Sequence, residues 1–197
     1  MDETTIKTYN QKAQEYTDET EEVWQRFPST FPSEFIQLAK DKVLDIGSGS
    51  GRDAKIFTSF GLDVTCLDAS QSMVEISKAK GFHSLVGNFL ELPFEEKAFD
   101  GVWAYTSLLH IHKKDIEKAF MEIKRVLKNG GILGLGLIEG EGEENRKSMG
   151  EEFPRLFTYY KREEIEEIAG KLGFKKVFFE KHTVKSKVYL HFLFENL

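Results

Sequence analysis

The chain has 197 residues, 40 % of them hydrophobic, which is enough for the core of one ordinary globular domain. Its 27 basic and 33 acidic residues give a formal net charge of −6. No lysine and arginine run is dense enough to follow a phosphate backbone, so a large nucleic-acid surface is disfavoured. Cys66 is the single cysteine, which excludes an internal disulfide and a thiolate metal cluster and is typical of the reducing cytoplasm. The polar start of the chain and the lack of ~18 consecutive apolar residues predict a protein that is neither secreted nor inserted in a membrane.

Apolar patterning in the first two thirds of the chain predicts an α/β domain. Five short β-rich runs predict strands at residues 42–46, 62–67, 83–86, 99–105 and 132–138. Apolar residues at helical spacing predict helices at residues 53–60 and 70–80, and a third that ends at Asn129-Gly130-Gly131 before the fifth strand. Strands and helices that alternate at these lengths indicate parallel pairing with right-handed crossovers, hence a doubly wound sheet.

The N-terminal segment departs from this alternation. Residues 1–40 predict two helices, with Phe27-Pro28 and Phe31-Pro32 breaking the path between them. We expect these helices to form a cap on a core of residues 41–197, the two parts together making one domain.

The C-terminal segment also departs from it. Residues 139–152 are polar and contain glycine, which predicts a loop, and a helix follows at residues 161–172. Two β-rich runs at 174–182 and 184–194 are separated only by Thr183 and its neighbours, so we expect an antiparallel hairpin.

The segment VLDIGSGSGRD, residues 43–53, predicts a ligand-binding turn between the first strand and its helix. Its three glycines can take positive φ angles and let a ligand approach without meeting a Cβ atom. In a doubly wound sheet the ligand lies at the carboxyl ends of the central strands, and an acid ending the next strand accepts hydrogen bonds from ribose. Asp68 occupies that position, 21 residues after Gly47, so the pattern predicts an adenosine-type ligand.

The turn favours a cationic ligand over a dinucleotide. A dinucleotide fingerprint is G-x-G-x-x-G, whereas here the spacing is G-x-G-x-G followed by Arg52 and Asp53. Asp45 lies in the strand just before the turn, where a carboxylate would repel pyrophosphate and attract an ammonium or sulfonium group. The spacing therefore disfavours a nicotinamide-dependent oxidoreductase.

Five segments in order carry a family resemblance: VLDIGSGSGRDA, VTCLDAS, GNFLELPF, FDGVWAYTSLLHI and EIKRVLKNGGIL. Together they resemble the class I S-adenosylmethionine-dependent methyltransferases, specifically the small-molecule branch, from about residue 9 to the C-terminus. The resemblance implies a mostly parallel, seven-stranded Rossmann-like sheet with a C-terminal antiparallel hairpin and an N-terminal helical cap.

The resemblance also implies a donor site spread over these segments. Asp45 and the turn from Gly47 to Gly49 would line the methionine moiety, and Asp68 would bind both ribose hydroxyls. Asn88 stands where the family commonly has an acid, and its amide can still exchange hydrogen bonds with adenine. The residues expected at the donor are Tyr9, Asp45, Gly47, Ser48, Gly49, Arg52, Asp68, Ala69, Met73, Asn88, Phe89, Ala104 and Tyr105, the last two beside the reactive methyl group.

Three side chains have open roles. His110 follows the fourth strand and could act as a general base near neutral pH, or it could simply pack and form hydrogen bonds. Tyr9 and Tyr16 are seven residues apart and share one helical face, so they could close over the donor or dock the helix on the sheet.

We expect an enzyme that methylates an oxygen, nitrogen or sulfur of a small molecule, as a monomer or homodimer, with no metal, nucleic acid or membrane as partner. The segment AYTS after the fourth strand lacks the Asn/Asp-Pro-Pro-aromatic pattern of enzymes that methylate nucleobase or glutamine nitrogens. The single cysteine disfavours an arsenic methyltransferase. Residues 139–152 could attract a cationic acceptor, although charge-rich loops are usually solvated. A non-catalytic module that binds S-adenosylmethionine or S-adenosylhomocysteine remains the alternative.

Overall fold

A computed structural model describes residues 2–147 and 149–197. Its helices are α1 (Glu3–Thr20), α2 (Val23–Arg26), α3 (Phe31–Leu38), α4 (Arg52–Ser59), α5 (Gln71–Ala79), α6 (Ile116–Val126) and α7 (Arg162–Lys171). Its strands are β1 (Lys42–Ile46), β2 (Asp63–Asp68), β3 (His83–Val86), β4 (Phe99–Tyr105), β5 (Leu127–Ile138), β6 (Glu143–Arg146), β7 (Arg155–Thr158), β8 (Phe174–Val184) and β9 (Lys187–Asn196). None of the described helices combines the length and the apolar character that a bilayer crossing requires.

Seven strands form one sheet in the order β3-β2-β1-β4-β5-β9-β8. The first five pair in parallel, whereas β9 runs antiparallel to both β5 and β8. Helices α3 and α4 contribute to the apolar core on one face, and α6 and α7 to the core on the other. The predicted doubly wound sheet with a C-terminal hairpin is therefore confirmed, and the carboxyl ends of β1, β2 and β4 meet at one edge.

Helix α1 lies across that edge. Asp2 caps it by accepting a hydrogen bond from the Thr5 backbone N–H, at 2.7 Å. Asn10 Oδ1 accepts from the Ser70 hydroxyl at 2.8 Å, and the Thr8 hydroxyl donates to the carbonyl of Pro154, also at 2.8 Å. The helix thus bridges the start of α5 and the start of β7.

The N-terminal cap differs from prediction at Phe31-Pro32, which begins α3 rather than breaking a helix. Proline is tolerated in the first helical turn because the N–H it lacks has no partner there. Phe31 is fully buried and stacks on Trp103 with 4.4 Å between ring centroids. Phe27-Pro28 does lie in a break, between α2 and α3.

Three boundaries in the second half also differ from prediction. Strand β5 starts at Leu127, and Asn129-Gly130-Gly131 is absorbed in a register shift against β4 rather than forming a separate turn. Residues 139–152 are not all loop, because β6 pairs antiparallel with β7. Thr183 pairs with Val188 inside the hairpin, whose turn follows Val184 and includes Lys185 at φ +54°.

Candidate active site

A pocket opens where α1 crosses the carboxyl ends of the central strands. It encloses about 750 Å³ of free space, part of it open to solvent. Most residues predicted at the site line it: Tyr9, Gly47, Ser48, Gly49, Arg52, Asp68, Ala69, Met73, Phe89, Tyr105 and His110. Tyr16, the second aromatic residue of the predicted helical face, also lines it, and its ring meets that of Tyr9 edge-on at 5.1 Å.

The glycine turn is held against β2 by its own backbone. The N–H groups of Gly47 and Ser48 donate to the carbonyl of Leu67, at 2.7 and 3.2 Å. Gly47 has φ +70°, and a Cβ at this position would lie 2.2 Å from Cβ of Ser107. Glycine is therefore needed here both for the backbone conformation and for the close approach of the segment after β4.

Asp68 joins the turn to the start of α5. Its Oδ2 accepts from the Gly49 N–H and its Oδ1 from the Ser70 N–H, each at 2.8 Å. Burial raises the pKa of this carboxyl, while the backbone hydrogen bonds oppose the shift. A carboxylate offers roughly four lone-pair sites. Asp68 can thus accept further hydrogen bonds from a ligand.

Asp53 anchors the pocket wall. Its two oxygens accept from Arg52 Nε and Nη2 at 2.7 and 2.8 Å, and from the indole N–H groups of Trp24 and Trp103 at 2.8 and 2.9 Å. Burial alone would raise the pKa of Asp53. Arg52 and the indole donors together lower it by more, so the pKa lies below its usual value. The Arg52 guanidinium also lies 5.4 Å from the ring centre of Tyr105.

Buried oxygens without partners surround the turn. Asp45 Oδ2, Ser48 Oγ and Ser107 Oγ are buried and have no hydrogen-bond partner among residues 2–147 and 149–197. Burial and the negative charge of Asp53 raise the pKa of Asp45 well above its usual value. An ammonium group would donate hydrogen bonds to the Ser48 and Ser107 oxygens, which line the pocket. The positive charge of an ammonium or sulfonium group near the turn would also favour the ionised form of Asp45, which suits a cationic donor.

His110 is 7 % exposed and has both ring nitrogens engaged. The carbonyl of Leu156 lies 2.6 Å from Nδ1, so Nδ1 carries the proton and Nε2 accepts from the Tyr9 hydroxyl at 2.8 Å. Arg155 Nη1 in turn donates to the Tyr9 oxygen at 2.7 Å. Burial lowers the pKa of His110 to about 3, and the nearby charge of Arg155 lowers it too.

Three predicted residues do not line the pocket. Asp45 is buried behind the turn, and Ala104 packs into the core on the α6 face of the sheet. Asn88 is exposed, and its Oδ1 accepts from the Leu90 N–H at 2.9 Å. Contact of these side chains with the donor stays a prediction.

Several lining residues were not predicted from the sequence. They are Thr5, Ile6, Thr20, Ser50, Asp53, Ser70, Thr106 and Ser107. Ser70 had a readable signal, because a serine directly before an apolar helical run is a typical N-cap, and its hydroxyl accepts from the Met73 N–H. Thr106 had none: it has φ +54°, an unusual conformation for a β-branched residue, held by its hydrogen bond to the carbonyl of Gly136.

Comparison with known proteins also indicates a methyltransferase. Residues 44–135 match the model of a methyltransferase domain. An uncharacterized protein from Methanocaldococcus jannaschii is 32 % identical over 148 residues, covering 71 % of this chain and 67 % of that protein. A glycine/sarcosine/dimethylglycine N-methyltransferase from Actinopolyspora halophila is 37 % identical over 99 residues. That match covers 46 % of this chain and only 17 % of the relative's length.

A solved structure shares the fold at lower identity. It is the Burkholderia thailandensis 1,6-didemethyltoxoflavin-N1-methyltransferase with bound 1,6-didemethyltoxoflavin and S-adenosylhomocysteine. The two superpose with a TM-score of 0.73 at 19 % identity, covering 98 % of this chain and 87 % of the other. With the glycine turn and Asp68 at the edge of this sheet, the chain belongs to the class I S-adenosylmethionine-dependent methyltransferases.

Proposed function

We propose that this protein transfers the methyl group of S-adenosylmethionine to an oxygen, nitrogen or sulfur atom of a small molecule, the whole chain acting as one methyltransferase domain. One observation carries the proposal: the Asp68 carboxylate is bonded to the Gly49 N–H of the turn and lies in the same pocket. The names of relatives support small acceptors, since they include sarcosine and toxoflavin methyltransferases. The acidic net charge and the buried, unpaired Cys66 support a protein of the reducing cytoplasm that does not act on nucleic acid.

The chain's own residues would bind and orient the reactants. Asp68 would accept hydrogen bonds from the ribose hydroxyls, while Asp45, Ser48 and Ser107 would stabilise the cationic methionine end. S-adenosylmethionine, when bound, supplies a methyl group already activated on a sulfonium. Tyr9 and Tyr16 of α1 line the pocket and would help to exclude water from a bound donor. Orientation of this kind can contribute up to ~7–11 kcal/mol to lowering a barrier.

His110 is assigned a positioning role rather than that of a base. Its Nε2 accepts a hydrogen bond from the Tyr9 hydroxyl, so the ring holds Tyr9 and α1 over the pocket. With its pKa lowered to about 3 by burial, it binds a proton poorly at neutral pH. The acceptor atom would therefore attack with a lone pair that is free at the working pH, or lose its proton to water.

The donor site is tested by thermal shift and calorimetry. We expect S-adenosylhomocysteine to stabilise the protein and NAD to leave it unchanged, since ligand binding adds RT ln(1 + [L]/Kd) to stability. Asp68→Ala should weaken binding by ~1.5–3 kcal/mol, because charge-assisted hydrogen bonds are lost. Asp63→Ala is the matched control, since Asp63 is exposed at the other end of β2. Stabilisation by NAD alone, or unchanged affinity of Asp68→Ala, would contradict the proposal.

Turnover separates an enzyme from a module that only senses the donor. The protein is incubated with S-adenosylmethionine and metabolite mixtures, and products heavier by one methylene are sought by mass spectrometry. Tight donor binding without any methylated product would support the sensing module instead.

A further inference from the structure

We propose that Thr106 selects an acceptor whose attacking atom is an oxygen or nitrogen that still carries a hydrogen, because the Thr106 hydroxyl accepts a hydrogen bond from that group. The inference deepens the proposed methyl transfer and rests on it, since it names the class of molecule that receives the methyl group. Three observations carry it: the strained backbone of Thr106, its free hydroxyl and its place next to the glycine turn.

The backbone of Thr106 has a conformation that does not suit its side chain. Its φ is +54°, in the left-handed region, where a β-branched residue is an outlier. Among the described residues, the other non-glycine positions with positive φ are Lys97 and Lys185, which are unbranched and exposed. Glycine or asparagine would adopt this φ at lower cost. The threonine side chain therefore serves a purpose that the turn of the backbone does not explain.

Contacts on both sides hold this conformation in place. The N–H of Thr106 donates to the carbonyl of Gly136 at 2.9 Å. Tyr105 lies so close to the same glycine that a Cβ there would be 2.4 Å from Tyr105 Cδ2. On the other side, a Cβ at Gly47 would be 2.2 Å from Cβ of Ser107. Thr106 is thus fixed between β5 and the glycine turn, so its side chain is held in one place relative to that turn.

The Thr106 hydroxyl is free to bind a ligand. Thr106 lines the pocket and is half-buried, and its hydroxyl forms no hydrogen bond with the described part of the chain and is not shut off from solvent. The other serine and threonine hydroxyls of the lining are either hydrogen-bonded or buried. The bonded ones belong to Thr5, Thr20, Ser50 and Ser70, and the buried ones to Ser48 and Ser107.

The position of Thr106 suits the attacking atom of the acceptor rather than the nucleoside of the donor. In the proposed function Ser107 contacts the cationic methionine end of the donor, whereas Asp68 binds its ribose. Thr106 directly precedes Ser107, so it lies beside the end that carries the methyl group. A hydroxyl oxygen that accepts the O–H or N–H hydrogen of the acceptor would turn the lone pair of that atom toward the methyl carbon.

This hydrogen bond orients the acceptor and does not remove its proton. The lone pair of the acceptor forms the bond to the methyl carbon, the carbon–sulfur electron pair returns to sulfur, and the proton of the acceptor passes to water. A tertiary amine or a thioether has no hydrogen to donate to Thr106, and a thiol donates weakly. The site therefore favours hydroxyl groups and primary or secondary amines.

The test is a thermodynamic cycle with aniline and toluene, which have nearly the same shape but differ in the N–H donor. Both are titrated into the S-adenosylhomocysteine complex by ligand-observed NMR, since the rings of Tyr9, Tyr16 and Tyr105 in the pocket wall suit a flat aromatic probe. We expect Thr106→Val to lower the affinity for aniline relative to toluene about two- to tenfold, as the loss of one neutral hydrogen bond does. Thr106→Ser keeps the hydroxyl and should keep the ratio. Thr183→Val is the matched control, since that threonine is exposed in the hairpin and lies outside the pocket lining.

Thr106→Gly separates binding from a structural role. It removes the hydroxyl and also relieves the left-handed strain, which outweighs the greater entropy of glycine in the unfolded chain. The melting temperature should therefore stay the same or rise, while the affinity for aniline relative to toluene falls as in Thr106→Val. A lower melting temperature of Thr106→Gly would show that the side chain is kept for packing, which would overturn the proposal.

Three other results would also count against Thr106 as the residue that binds the acceptor. These are an unchanged ratio in Thr106→Val, no binding of aniline to the unmodified complex, and a loss of S-adenosylhomocysteine affinity in Thr106→Val, which would assign the hydroxyl to the donor. All three leave methyl transfer itself standing. A protein that binds no S-adenosylhomocysteine would instead refute the proposed function, and with it the inference that rests on it.

Discussion

Asp53→Asn tests whether one buried carboxylate holds the cap, the sheet and the turn together. Asp53 is 5 % exposed and accepts hydrogen bonds from Arg52, Trp24 and Trp103. The amide has nearly the same shape, but it places an NH2 group where the carboxylate met N–H donors. It also leaves the mostly buried Arg52 guanidinium without its counter-charge.

The expected cost follows from those contacts. Breaking a buried ion pair by removing one partner costs ~3–5 kcal/mol. At ~2–4 °C per kcal/mol for a chain of this size, the melting temperature should fall by roughly 6–20 °C. Denaturant unfolding of Asp53→Asn, with the exposed Asp63→Asn as control, measures this directly. A loss within ~0.5 kcal/mol of the control would refute the reasoning, because surface substitutions stay in that range.

Asp53→Asn should also change how the stability of the protein depends on pH. The pKa of Asp53 is lowered on folding, so its contribution to stability is present above the unfolded value of ~3.9 and is lost as pH falls through the folded value. Below about pH 4 the stability of the unmodified protein should therefore fall more steeply than that of Asp53→Asn. Parallel acid limbs would show that the carboxylate is not ionised in the folded protein.

Three further predictions concern the pocket. Gly47→Ala should cost more stability and donor affinity than Gly61→Ala, because both glycines have positive φ but only a Cβ at Gly47 meets a neighbour. Equal losses of stability, of the order of 1–3 kcal/mol in denaturant unfolding, would mean that backbone strain alone explains the effect. Because the pKa of Asp45 is raised by burial, binding of the cationic donor should release a proton and tighten as pH rises; calorimetry in buffers of different ionisation enthalpy measures this, and Asp45→Asn should abolish it. Burial lowers the pKa of His110 to about 3, so this residue should not titrate between pH 5 and 8. The pH profile of kcat/KM in that range should therefore have the same shape in the unmodified protein and in His110→Asn.

The first four strands were predictable because buried parallel strands are short, continuous apolar runs bounded by turns. Residues 42–46, 83–86 and 99–105 were placed at their observed bounds. The strand Glu143–Arg146 was not, because its residues are polar or charged and mostly exposed and show no apolar alternation. It is a strand only because it pairs with residues 155–158, and no pattern within residues 143–146 indicates that pairing.

The site residues also differ in whether a local sequence pattern predicts them. The turn and Asp68 are 21 residues apart and belong to one βαβ unit, so their spacing could be read from the sequence. The Tyr9, His110 and Arg155 network joins residues more than a hundred positions apart, and no local signal links them. Asp53 was visible as a residue, but its two indole donors come from α2 and β4, which meet only in the folded chain.

Ser70 connects the N-terminal cap to Asp68. Its N–H is held by Asp68, and its hydroxyl donates to Asn10 of α1. A nucleoside that fixes the loop at Asp68 therefore also fixes the seat on which the helix closes. This coupling favours an order in which the nucleoside enters before the helix closes over it.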